Sequence, residues 1–569
     1  MNRMIHPPSR PFVYPVTLET VFIRLLADPA LETPVLHWWD RMQSPETAVK
    51  VTMHPIASRY GYAMYEGAVT MPRSARYFRY VFSAKTPEGA TVYGNQYGED
   101  AAFPKNGFFE YTATNEGDQI APPAWLSQGI AYQVFPDRFA RSGSLPIPAP
   151  QAAWGSVPDR EHYCGGDLRG ITAKIDYLAA LGITVLYLTP IFKGDFNHRY
   201  ATTDYFSVDP ALGSTDDLRE LVKAAHEKNI RVLLDGVFNH CGIHFAPFAD
   251  VLEKGKGSPY CSWFYLDRLP PGIRGEDYLC VGDYPFMPKL NFSCREVRDY
   301  FLRVGVYWIK EADIDGWRLD VADEVDLTFW QEFRREIKAL RPDGALLAES
   351  WRDATDMLRG DTMDSVMNYL FRDAVLDFFA RKTIDGPAFD SRLQHFLSLY
   401  PTPLWHSLYQ PLGSHDTKRF LSECGGDLAA WRMALAFQMT FPGLPAVYYG
   451  DEAGMEGEND PGCRGCMMWD QVESTAFYQE VKGWIALRKA HPALTRGDYQ
   501  CVHRESVFAF SRTCGEESLL IAMNPTDAVQ TICLDGIHTD LLSAWTGKEL
   551  TLPCGKISIL KRHEKEEEP

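Results

Sequence analysis

The chain has no long apolar run. Its opening stretch, "MNRMIHPPSRPFVYPV", is broken by prolines and charges before a hydrophobic segment can build. Neither a secretory leader nor a membrane-spanning start is expected, and the expected location is cytoplasmic. Positive charge is in deficit too: 57 Lys and Arg stand against 75 Asp and Glu, a formal net charge of −18. A phosphate backbone needs clustered cations, so a nucleic-acid partner is excluded and a neutral substrate or soluble partner is expected. The twelve cysteines are scattered, and without a leader they read as buried thiols rather than a disulfide framework. Only Cys463 and Cys466 form a C-x-x-C pair, and "NDPGCRGC" has neither the second half of a zinc site nor the helix start of a redox motif. There is no G-x-S-x-G elbow, phosphate loop or dinucleotide fingerprint, so acyl transfer and nucleotide chemistry lack their parts. No solenoid-period repeat occurs, and the only biased tract is the terminal "HEKEEEP", expected to be a solvated tail.

What is present is core-forming material for several domains: 569 residues, 45% hydrophobic and 13% aromatic. Residues 1–121 hold short β-like runs such as "TLETVFIRLL", "YFRYVFSA" and "GFFEYTAT" between turn signals, which predicts a β-sandwich. "APPAW" follows as a stiff linker. Over 122–492 the pattern becomes strand, helix, strand: "GIAYQVF", "GITVLYLTP", "IRVLLDG", "IDGWRLD", "ALLAES", "DSVMNYLF", "LYQPLGSHD" and "PAVYYGDE" alternate with helical stretches. Eight such units predict an α/β fold, a (β/α)8 barrel of the TIM type, with a lobe inserted after strand 3 at about 241–291 where the periodicity lapses. Residues 493–569 return to β runs and predict a C-terminal β-sandwich.

Within "DIDGWRLDVADEV" (313–325), period-two alternation sends Trp317 and Leu319 to one face and Arg318 and Asp320 to the other. A guanidinium beside a carboxylate favours the ionised acid, which suits a structural ion pair or a nucleophile kept charged. Other predicted strands end alike: "RVLLDGVFNH" at Asp235 and His240, "ALLAE" at Glu349, "GSHD" at His415 and Asp416. In a parallel barrel these ends meet on one face, so the residues converge on one cleft, and a catalytic cleft is expected. Two carboxylates in differently tuned environments are what retaining glycoside hydrolysis requires. Asp320 beside Arg318 suits the nucleophile. Glu349, after an apolar strand and before Trp351, suits the acid, with Asp416 as a third carboxylate and His240 and His415 as donors to sugar hydroxyls. His240 and His244, with Asp235 or Cys241, could also be drawn as a zinc site, but the segment between them makes a poor helix.

At these residues the chain resembles the α-amylase family, glycoside hydrolase family 13, and within it the cyclomaltodextrinase, neopullulanase and maltogenic amylase group. "DGVFNH", "GWRLDVADEV", "ESW" and "GSHD" stand in the family's order, "MPKLN" (287–291) marks the group, and "YQVFPDRF" and "TFPGLPAVYYGDEAGMEGENDPGCRGCMMWD" extend the match over most of the chain. The resemblance implies Asp320 as nucleophile, Glu349 as general acid/base and Asp416 as the carboxylate that holds sugar hydroxyls. It implies Arg318, His240, His415 and Tyr200 around the reacting sugar, Tyr200 stacking under it, Val321 and Trp351 on the leaving-group side, and Asp460 and Arg464 further out. It implies an oligosaccharide substrate, α-1,4 cleavage of cyclomaltodextrins, pullulan or short maltooligosaccharides with possible transglycosylation, and a homodimer through the N-terminal domain. The alternative is a non-catalytic glucan-binding protein with the same fold. Where relatives often carry Asn-Gly-Asp as calcium ligands, this chain has Arg141, Ser142 and Gly143, leaving Asp167 as the obvious oxygen donor, so no metal or other cofactor is expected. Ala201 stands where relatives usually have Asp, and Arg352 where many have His.

Overall fold

The structure, a computed structural model, describes residues 3–269, 271–272, 276–470 and 472–563. At its centre eight parallel strands close into a barrel. We label them β1 (Ala131–Val134), β2 (Val185–Leu188), β3 (Arg231–Gly236), β4 (Gly316–Leu319), β5 (Ala345–Ser350), β6 (Ser365–Asn368), β7 (Tyr409–Pro411) and β8 (Leu444–Tyr448). Seven of the eight apolar runs singled out in the sequence contain one of them whole, and the eighth, "PAVYYGDE", holds all of β8 but its first residue, Leu444. The runs read as continuous rather than alternating because a parallel strand wrapped by helices is buried on both faces. Alternation still sorts the side chains: on β4, Trp317 packs outward against Phe192 and Phe238, while Arg318 points into the barrel beside Tyr187. Gly316 starts that strand with φ +152°, and a Cβ there would meet the Ala345 carbonyl oxygen at 2.1 Å, so only glycine lets β4 and β5 pair.

After β3 the chain leaves the barrel as the lobe, whose described residues form one α-helix, Ala246–Lys254, two 3-10 turns and isolated β-bridges instead of a sheet. It returns through the amphipathic helix Arg295–Ala312, whose Phe301, Val304 and Trp308 are buried. The N-terminal residues form two antiparallel sheets of five and six strands, enclosing Ile23, Leu25, Phe78, Tyr80 and Phe82. The C-terminal sandwich is made from one six-stranded antiparallel sheet: its outer hairpin, Gln530–Asp540 with Thr546–Leu552, brings Leu550 and Leu552 against Val507, Ala509 and Ala522. Apart from His563, the charged tail lies outside the described residues. Among the described residues no helix is long and apolar enough to cross a membrane.

The N-terminal module is joined to the barrel through buried polar contacts. Arg24 donates from Nε to Glu66 Oε1 (2.8 Å), Tyr14 donates to the same oxygen, and the Thr402 hydroxyl of the barrel donates to Glu66 Oε2 (2.9 Å). The Arg24 guanidinium lies 5.9 Å from the ring centre of Trp405.

Candidate active site

The C-terminal ends of the barrel strands open into a cleft of about 440 Å³. Asp320, Glu349, Asp416, Tyr200, His240, Val321, Trp351, Asp460 and Arg464, all expected from the sequence, line it. The other two expected residues, Arg318 and His415, are fully buried and stand behind the wall, reaching the cleft through the residues they hold.

Arg318 organises the centre. Its Nη1 donates to Asp320 Oδ1 (2.8 Å) and to both oxygens of Asp235 (3.0 and 2.9 Å), and its Nη2 lies 2.9 Å from Glu349 Oε2. One rigid guanidinium thus sets the separation of Asp320 and Glu349, which it contacts through its two adjacent Nη atoms. Asp235 is also held by the hydroxyls of Tyr187 (2.6 Å) and Tyr200 (2.9 Å). The expectation that Arg318 simply lowers the Asp320 pKa needs correcting. Burial first, and then the Glu349 charge, push it well above the usual carboxylate range, and Arg318 only opposes them. One cation faces three carboxylates, so a full negative charge on Asp320 is favoured when its neighbour Glu349 carries a proton. Asp235 is likewise pushed up to about 6 by burial, against the pull of Arg318.

Immediately after Asp320 the backbone turns at Val321, a β-branched residue held at φ 43°, ψ 45°. That costly conformation aims the Val321 N–H at Glu349 Oε2 (3.0 Å). The other oxygen, Oε1, accepts from Trp351 Nε1 (3.2 Å), and the Trp351 ring, half exposed, stacks on Tyr369 at 3.8 Å and 4°. His240 is almost fully buried beside the Tyr200 backbone, yet among the described residues neither of its ring nitrogens makes a hydrogen bond of normal geometry, and Nε2 lies 3.9 Å from Asp320 Oδ2, which makes none among them either. Buried polar atoms left open at a cleft wall are places where a ligand completes the hydrogen bonding. Burial, with Lys289 nearby, lowers the His240 pKa to about 3, so the ring is neutral.

Across the cleft, Asp416 pairs with His415 Nε2 (3.0 Å) and Arg464 Nη2 (3.1 Å). Gln133 Nε2 lies 2.6 Å from His415 Nδ1, which places the imidazole proton on Nε2, toward Tyr200 and Asp416. Burial and the cations Arg464 and Arg318 keep His415 neutral. Tyr200 stacks on His415, ring centres 5.3 Å apart and planes 5° from parallel. Arg464 continues to Asp460 Oδ1 at 2.8 Å. Sequence reasoning missed Arg160, Glu161, Phe196, His198 and the lobe residues Val281, Tyr284, Phe286 and Met287, all of which line the cleft. They sit in loops with no periodic signal.

His244 turns away from His240 and pairs with Asp195 (2.9 Å), and among the described residues no three His, Cys, Asp or Glu side chains are placed to hold a metal ion. At the expected calcium position, Asp167 is already satisfied: Oδ2 accepts from the Ser142 N–H (2.9 Å) and hydroxyl (2.8 Å), and Oδ1 from Gly170 N–H (2.7 Å). Arg141 donates to the Cys164 carbonyl and lies over the Trp154 ring. A cation next to that carbonyl and a fully engaged Asp167 do not fit a calcium ion. Ala201 is fully buried, and Arg352 donates to Asp323 Oδ2 (3.1 Å).

Comparison with known proteins gives the same picture. Residues 133–514 match the family model described as "Alpha amylase, catalytic domain", and residues 1–115 match "Alpha amylase, N-terminal ig-like domain". The chain is 37% identical to Neopullulanase 2 of Thermoactinomyces vulgaris, with 99% of this chain and 98% of that protein covered. It is 45% identical to a cyclomaltodextrinase of Geobacillus thermopakistaniensis, over 75% of this chain and 73% of the relative. A solved cyclomaltodextrinase structure superposes with a TM-score of 0.93 at 36% identity, covering 98% of this chain and 99% of the other.

Proposed function

The chain belongs to the α-amylase family of glycoside hydrolases, and from that premise we propose that it cleaves α-1,4-glucosidic bonds of cyclomaltodextrins, pullulan or short maltooligosaccharides with retention of configuration. The observation that carries this reading is the single guanidinium of Arg318 bridging Asp320 and Glu349. Asp320, which lines the cleft and whose Oδ2 has no hydrogen-bond partner among the described residues, attacks the anomeric carbon as Glu349 passes its proton to the departing glycosidic oxygen. A glycosyl ester on Asp320 results. Glu349, now a carboxylate, takes a proton from water, and the hydroxide displaces the ester, restoring both groups.

His240 Nε2 supplies a hydroxyl hydrogen bond beside the reacting sugar, Tyr200 presents its ring, and Asp416 accepts from hydroxyls while His415 and Arg464 fix its orientation. Arg318 is a positioning residue. Val321 and Trp351 border the leaving group, and the half-exposed Trp351 offers a face to a sugar acceptor, which makes transglycosylation a side reaction. Asp460 and Arg464 hold sugars further out. Reducing-sugar release from β-cyclodextrin by the intact protein, abolished in Asp320→Asn, is the expected result; no release by either would favour a glucan-binding protein without turnover.

We further propose that no metal is required, given the hydrogen bonding of Asp167 and Arg141. The cytoplasm is the proposed location, because all twelve cysteines are unpaired, as a reducing compartment leaves them. A homodimer through the N-terminal module is proposed on its exposed Met42, Val49, Tyr77 and Tyr97. Sedimentation velocity giving only monomer at micromolar concentration would reject it.

A further inference from the structure

We infer that Arg160 closes the end of the cleft remote from the leaving group, and so limits how many glucosyl units a bound chain can place on the nucleophile's side. The inference rests on the hydrolase reading above. Glu349 protonates the leaving oxygen, so Trp351, hydrogen-bonded to it, marks the leaving-group side. From Asp416 a line of alternating charges leads to Arg160. Arg464 Nη2 lies 3.1 Å from Asp416, Arg464 Nη1 lies 2.8 Å from Asp460 Oδ1, and Arg160 donates from Nε (3.1 Å) and Nη2 (2.8 Å) to Asp460 Oδ2. The line ends where Arg160 and Glu161 form the cleft wall.

This contact joins two loops 300 residues apart, one following β1 and one following β8. An exposed ion pair alone would be a weak bar, since Arg160 is 48% exposed. The feet of the Arg160 loop, however, are fixed from beneath. Arg138, 1% exposed, donates from Nη2 to the carbonyls of Asp159 (3.1 Å) and His162 (3.0 Å), and Asn197 Nδ2 donates to the same two oxygens at 3.0 and 2.9 Å. Asp159 Oδ1 accepts from the N–H groups of Glu161 (2.8 Å) and His162 (2.7 Å), which tightens the turn. Arg138 also donates from Nη1 to the Arg464 carbonyl (3.2 Å), so one buried side chain ties both ends of the bar to the barrel. A locked loop of this kind leaves its side chains, Arg160 and Glu161, as the parts that can yield. The substrates it admits are short α-glucans, whose end hydroxyls can accept from the guanidinium, and rings, which turn back and need no exit. A long linear chain is obstructed.

The test uses the full-length protein and its Arg160→Ala, Arg160→Gln and Arg160→Lys variants, each checked for an unchanged melting profile. Maltoheptaose labelled at its reducing end gives the lengths of the fragments released, and amylose and β-cyclodextrin give a kcat/KM ratio. In the unaltered protein the unlabelled fragments are short. In Arg160→Ala and Arg160→Gln they lengthen by at least one unit and the amylose-to-cyclodextrin ratio rises about tenfold, the scale of one steric determinant in a pocket. Arg160→Lys, which keeps the charge, falls between. Fragment lengths and ratio unchanged in the folded Ala and Gln variants overturn the role of Arg160 alone. No release from any glucan by the unaltered protein overturns both it and the hydrolase reading.

Discussion

Replacing Arg318 by Met removes the one cation that three buried carboxylates share while keeping an unbranched side chain of similar reach. Arg318 is 0% exposed, and the side chains of Asp235, Asp320 and Glu349 are 0–7% exposed. Breaking one buried pair by deleting a partner costs about 3–5 kcal/mol, and three orphaned acids do not triple the cost because they escape by taking up protons. A loss of about 4 kcal/mol at pH 7 follows, which in a chain of this length lowers the melting temperature by about 3–5 °C. The pH dependence has a definite sign. Burial raises the folded-state pKa of Asp235 to about 6 from 3.8 even with Arg318 present, so it is the ionised form that is penalised. The penalty is absent below 3.8, grows as pH rises toward 6, and stays in force above it. The variant therefore recovers stability on acidification, roughly 1.4 kcal/mol per pH unit for each carboxylate that protonates. Thermal melts at pH 7 and pH 5, relative to the unaltered protein, read the effect, and adding Asp235→Asn to Arg318→Met should restore part of the loss. A variant within about 1 kcal/mol of the unaltered protein at pH 7, or one hurt more at pH 5, would refute the reasoning.

His240 works in the opposite direction. Its folded-state pKa is lowered to about 3 while an unfolded chain protonates at 6.5, so the stability it confers is whole above 6.5 and is lost as pH falls toward 3. Between pH 6.5 and 5 that is about 2 kcal/mol, and His240→Asn should flatten this part of a stability–pH profile; an unaltered slope would contradict it. The same substitution should cost about 10–100-fold in kcat/KM on β-cyclodextrin through the lost donor. Incubation with EDTA should leave melting temperature and activity unchanged, whereas Arg141→Ala should destabilise by about 1 kcal/mol, having lost a hydrogen bond and a cation–π contact. A fall in melting temperature on chelation would contradict the fit of Arg141 and Ser142 around Asp167.

The barrel was legible because its physics is local. Each strand is an apolar run between turn signals, and charges such as Asp235, Arg318, Asp320 and Glu349 stand out at the run ends, where a parallel barrel gathers them. What could not be read was whatever depends on contacts between distant loops. Asp460 was visible as a candidate, but its partner Arg160 lies in "PDREHYC", which has neither periodicity nor motif. The aromatic wall of Phe196, Tyr284 and Phe286 is hidden for the same reason: Phe196 meets Phe286 at 4.9 Å across ninety residues of intervening chain. The sign of the Asp320 shift was missed for another reason. A dipeptide-scale reading sees the adjacent cation, whereas the balance is set by burial and by the second carboxylate, which arrives from a different strand.

Arg24, Glu66 and Tyr14 on one side and Thr402 and Trp405 on the other form a single desolvated cluster, and the terminal nitrogens of Arg24 have no hydrogen-bond partner within it. Grafting this module onto a foreign barrel would transplant half of a circuit. A recipient without a hydroxyl at the position of Thr402 would leave Glu66 Oε2 without its donor, and a recipient without the indole would uncover Arg24. The module is not an interchangeable cassette, and any chimera has to carry its seat on the barrel along with it.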